Sequence, residues 1–91
     1  MKYVLLGSVS PSWLSRQVER LTKSNEKLKQ LGIKQVSVLY TQGQYDFVET
    51  IEASGPSSVL GFTIWYAKKG FGTIQTLPAF EDKEIRKIIK G

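Results

Sequence analysis

The hydrophobic pattern changes period from one segment to the next, and each change marks an element. Residues 2–9 hold Tyr3, Val4, Leu5, Leu6 and Val9, a short apolar run that predicts a buried strand. Tyr3 and Leu5 point one way and Val4 and Leu6 the other, so both faces are apolar. Ser10-Pro11-Ser12 interrupts the run, and Ser12 or Ser15 can cap a following helix. From Trp13 to Leu31 the period is helical. Leu14, Val18, Leu21, Leu28 and Leu31 form its predicted core stripe, with Asn25 in the middle. Arg16, Arg20, Lys23 and Lys27 fall on the opposite side, and Gly32 ends the helix.

Residues 33–40 alternate, with Val36, Val38 and Tyr40 against Gln35, Ser37 and Leu39, and predict a second strand. The loop Thr41-Gln42-Gly43-Gln44 then turns the chain back into a third. There Tyr45, Phe47, Glu49 and Ile51 share one expected face, and Asp46, Val48, Thr50 and Glu52 the other. A second helix begins near Ser54 and Pro56 and runs to Lys69, with Val59, Phe62, Thr63 and Tyr66 inward. Trp65 falls off that stripe and is expected to anchor an interface. Residues 73–79 form the last strand, with Pro78 near its end or on an edge. Residues 81–90 predict a short terminal helix with Ile85, Ile88 and Ile89 on one side.

Strand, helix, strand, strand, helix, strand is the order of the α+β, ferredoxin-like βαββαβ arrangement: an antiparallel sheet with two helices on one face. Here a short C-terminal helix follows, and residues 1–91 are read as one domain. The second face of such a sheet is polar in a solitary monomer. In this chain it is apolar, which predicts two sheets stacked face to face in a homodimer, a dimeric α+β barrel, or a higher homo-oligomer.

Tyr3-Val4-Leu5-Leu6-Gly7, Gly43-Gln44-Tyr45-Asp46-Phe47-Val48 and Glu52-Ala53 together resemble the GYD domain family in order and spacing. The resemblance implies a small stand-alone dimeric α+β barrel and no established activity. The function expected from it is small-molecule binding or an assembly module. Relatives of that barrel class include cofactor-independent oxygenases and isomerases, which supply an enzymatic alternative. A ligand-sensing partner of a transcription regulator is the other.

Composition narrows the chemistry. The chain has no cysteine and no histidine, which removes thiolate nucleophiles, the usual metal ligands and the one side chain that titrates near neutrality unperturbed. The enzyme expectation falls accordingly, and no cofactor or metal is predicted. No stretch is long enough to span a membrane, so a cytoplasmic protein is expected. Of the net charge of +5, most sits between Arg16 and Lys34, while residues 44–67 hold three acids and no base. Tyr45 and Phe47 alternate as they do in RNA-recognition motifs. Asp46 and Glu49 beside them repel phosphates, which argues against nucleic acid.

Gly43, Tyr45 and Asp46 form the structural motif, with glycine supplying a turn and Asp46 bonding nearby N–H groups. Tyr45, Asp46 and Glu49 are the candidate ligand-binding or acid–base groups. Glu49 shares a face with apolar residues, so burial raises its pKa unless a base pairs with it; the structural alternative is a rim pairing with a base such as Lys2. A cavity of roughly 300 Å3 on which two of the three converge favours catalysis, and a filled core opposes it.

Overall fold

Residues Lys2–Val9 form β1, which receives a neighbouring strand along each edge. In the computed structural model, which describes residues 1–91, the chain continues through a 3-10 turn, Pro11–Arg16, into α1, Gln17–Gln30. There follow β2 (Lys34–Tyr40), β3 (Phe47–Glu52), α2 (Pro56–Lys68), β4 (Gly72–Ala79) and α3 (Asp82–Lys90). The strand order is β2-β3-β1-β4 and every pairing is antiparallel, as the ferredoxin-like arrangement requires. No helix is long and apolar enough to cross a membrane.

Register sorts the side chains by face, because residues directly opposite one another point the same way. Leu5 stands against Glu49 and Thr76, and Gly7 against Phe47 and Ile74. That face lies under α1 and α2, and on it Tyr3, Leu5, Phe47 and Ile51 are buried together with Val59, Phe62 and Tyr66 of α2. Gly7 makes room for the Phe47 ring, since a Cβ there would sit 1.9 Å from its edge. The other face carries Val4, Leu6, Val48, Leu39 and Leu77, and nothing of this chain covers it. Leu39 is 70% exposed.

Five expectations change. First, α1 turns a different side to the core: Arg20, Ser24 and Leu28 are buried at four-residue intervals, while Leu14 and Val18 are exposed. The 3-10 turn before Gln17 shifts the helical phase away from a single 3.6-residue stripe. Asn25 is therefore exposed and carries no buried-amide cost. Second, β2 has a bulge between Gln35 and Ser37, so Gln35 and Val38 both face inward. Third, Glu49 is buried on the helix-covered face and is not at a rim paired with Lys2. Fourth, Trp65 stacks on Phe62 at 5.8 Å and meets Phe71 edge-on at 5.5 Å, within its own chain. Fifth, none of the helix starts has a side-chain cap hydrogen bond, so Ser12, Ser15 and Ser54 do not cap.

Candidate small-molecule site

The three residues singled out from sequence do not converge. Tyr45 precedes the ladder of β3, and its hydroxyl reaches Gln75 at 2.6 Å, a residue opposite Leu6 on the uncovered face. The expectation that Tyr45 shares a face with Phe47, Glu49 and Ile51 is thus corrected: the loop before β3 departs from strand alternation. Asp46 accepts from the backbone N–H of Val9 at 2.6 Å, while its own N–H donates to Gly7. Gly43 takes φ +134 in the preceding turn, open to glycine alone among common residues. Glu49 alone points into the space beneath α1.

Around Glu49 the fold gathers residues that the sequence pattern had put elsewhere. The bulge in β2 brings the Gln35 side chain over, and its amide donates to Glu49 Oε2. Lys2, the anticipated partner, instead pairs with Glu81 at 2.7 Å and approaches Glu52 at 4.0 Å. Arg20 enters from α1 and is only 3% exposed. Its Nε and Nη2 donate to Gln17 Oε1 at 3.2 and 2.7 Å, and its Nη1 to the Tyr66 hydroxyl at 3.2 Å. No carboxylate forms an ion pair with it, Glu49 included. Ser24, one turn further along α1, has a buried hydroxyl with no hydrogen-bond partner.

The electrostatics follow from burial. Removal from water pushes the Glu49 carboxyl above its ordinary value, against the opposing pull of the Gln35 amide and the Arg20 charge. Burial also raises the Tyr66 hydroxyl, again opposed by Arg20. The free space among Arg20, Ser24, Gln35, Glu49 and Tyr66 is about 20 Å3, room for one water. Arg20, Leu21 and Tyr40 also line an open groove of about 410 Å3, bounded by Val9, Leu14, Gln17, Thr41 and Asp46. Glu49 and Asp46 therefore border different spaces, and Tyr45 borders neither.

Linkage gives the first test. Because its folded pKa is raised, Glu49 contributes its full stability below about pH 4.5, and that contribution is lost as pH rises through the raised value. Glu49→Gln keeps an oxygen for the Gln35 amide and removes the titration. The variant should lose this slope and gain on the order of 1 kcal/mol at neutral pH. Urea denaturation at a series of pH values reads both effects.

A family model for the GYD domain matches residues 3–89. The chain belongs to the GYD domain family. No curated protein matches it. Among solved structures, this GYD domain is similar to 5-chloro-2-hydroxyhydroquinone dehydrochlorinase (TftG) from Burkholderia phenoliruptrix AC1100, in complex with 2,5-dihydroxybenzoquinone. The two share 16% identity over 92% of this chain and 98% of the other, with a TM-score of 0.66. At that identity the likeness establishes a shared fold and nothing about chemistry.

Sequence reasoning missed Arg20, Ser24, Gln35 and Tyr66 as members of the site. The signal for the first two was present. Gln17, Arg20, Ser24, Leu28 and Leu31 also recur at helical spacing, and they form the stripe that the helix uses.

Proposed function

We propose that this GYD domain is a non-catalytic small-molecule-binding protein that works as a homodimer. The observation that carries the binding reading is Arg20: a guanidinium almost wholly buried, without an ionic partner, beside an open groove. Burying a charge without a counter-charge costs several kcal/mol, and a ligand group placed there offsets that cost. The partnerless Ser24 hydroxyl in the adjoining space adds a second polar atom for the ligand or a bridging water.

Binding is preferred to catalysis because the space beside Glu49 holds about 20 Å3 and only one of the three acid–base candidates borders it. The dimer is supported by the uncovered apolar sheet face and by α3, whose Ile88 and Ile89 are exposed. Sedimentation at micromolar concentration is expected to give the mass of two chains; a monomer alone would refute the dimer. For the binding reading, small organic molecules screened by amide NMR should move the signals of Gln17, Arg20 and Tyr40 first. A chain whose spectrum no such molecule perturbs has no ligand site here.

A further inference from the structure

We propose that the ligand is an organic monoanion: a carboxylate held by Arg20, on a small apolar body lying in the groove between α1 and the ends of β1 and β2. This rests on the small-molecule reading above and names the chemistry of the ligand. A guanidinium has five N–H donors, and three of Arg20's are engaged by Gln17 and Tyr66. One N–H on each terminal nitrogen remains without a protein partner, and two donors on neighbouring nitrogens match the two oxygens of a carboxylate. Gln17 and Tyr66 fix the guanidinium plane, so little side-chain entropy is lost on binding.

Two features limit the charge to one. Asp46 stands at the groove's rim, and Glu49 lies behind Arg20. A multiply charged oxyanion on Arg20 would be repelled by both when they are ionised, whereas a single carboxylate takes up only the one positive charge that Arg20 offers. The apolar requirement comes from the groove wall. Leu14 is 55% and Tyr40 59% exposed, flanked by half-buried Val9 and Leu21, and no other part of the chain covers them. A ligand body of one ring or a short aliphatic chain fits a space of this size.

Glu49 makes the binding sensitive to pH. The ionisable groups around it are Arg20 from α1, Tyr66 from α2 and Tyr40 from β2; β1 and β2 otherwise present Leu5, Gln35 and Val38. Affinity is expected to fall as pH rises and Glu49 loses its proton. Ionised Glu49 competes with the ligand for the charge of Arg20, so in Glu49→Gln, which is neutral at every pH, affinity should stay level.

The experiment titrates the purified full chain with benzoate, its neutral isostere benzamide, and inorganic phosphate, read by amide NMR at two pH values. Benzoate should shift the Gln17, Arg20 and Tyr40 signals and bind about tenfold or more tightly than either other probe, the value of a charge-assisted pair. Arg20→Gln should lose about tenfold in benzoate affinity. Should that buried change prevent folding, Leu14→Asp at the exposed wall should weaken benzoate by about tenfold while leaving the melting temperature unchanged. Benzamide binding as tightly as benzoate at the same residues would overturn the anionic class and leave the small-molecule reading standing. Phosphate binding as tightly as benzoate would overturn the apolar half. No response to any of the three at millimolar concentration, with the broader organic screen still positive, overturns the inference alone; silence in both removes the site.

Discussion

Gly72→Ala should destabilise the fold by roughly 4 kcal/mol, combining backbone strain with overpacking. Gly72 opens β4 with φ +152, a conformation that side chains rarely adopt. A Cβ there would lie 1.7 Å from the Ser8 carbonyl oxygen of the adjacent strand. The clash is with backbone inside the β1–β4 ladder, so no rotamer change relieves it. In a domain this small, with 15 of its 91 residues buried, such a loss removes much of the total stability. Urea denaturation should place the midpoint far below wild type. Gly7→Ala is the useful contrast, since its clash is with the Phe47 side chain. Trimming that ring in Gly7→Ala/Phe47→Leu should recover part of the cost, and no comparable rescue exists for Gly72.

The second large effect concerns assembly. Leu6 sits in β1 on the uncovered face, flanked across the sheet by Val48 and Gln75. Leu6→Asp puts a carboxylate into that surface in each copy. In the proposed dimer both charges are buried together, which should weaken association by about a hundredfold or more. In a lone chain the same residue faces water, so the fold survives. Sedimentation should show a folded monomer by circular dichroism. Unchanged dimerisation would mean that copies meet through another surface.

Much of the architecture is readable because short periods dominate it. The two-sided apolar run of β1, the capping glycine Gly32 at φ +68 and the Val59–Phe62–Tyr66 stripe of α2 each have one satisfactory packing. The family resemblance rests on segments with plain structural work, such as Gly7 under Phe47 and Asp46 on the Val9 amide. The site was less readable, and the reason is physical. Hydrophobicity ranks Leu14 and Val18 above Arg20 and Ser24, so a stripe drawn on apolarity alone turns α1 the wrong way. A bulge reverses residue parity without changing composition, so Gln35 gives no local sign that it will meet Glu49. Polar residues that face inward are the ones that such rules misplace.

The terminal helix has a consequence for handling the protein. Nine residues of α3 make no substantial packing contact with the rest of the chain and are tethered at their start by the Lys2–Glu81 pair. A helix of that length is marginal alone in water, and segments without tertiary support open at almost no free-energy cost. Trypsin cutting after Lys83, Arg86 or Lys87 should therefore be fast in any copy whose tail is unattached and slow once the isoleucines find a surface. In the proposed dimer the tail would serve as a natural gauge of self-association, readable on a gel with no label added.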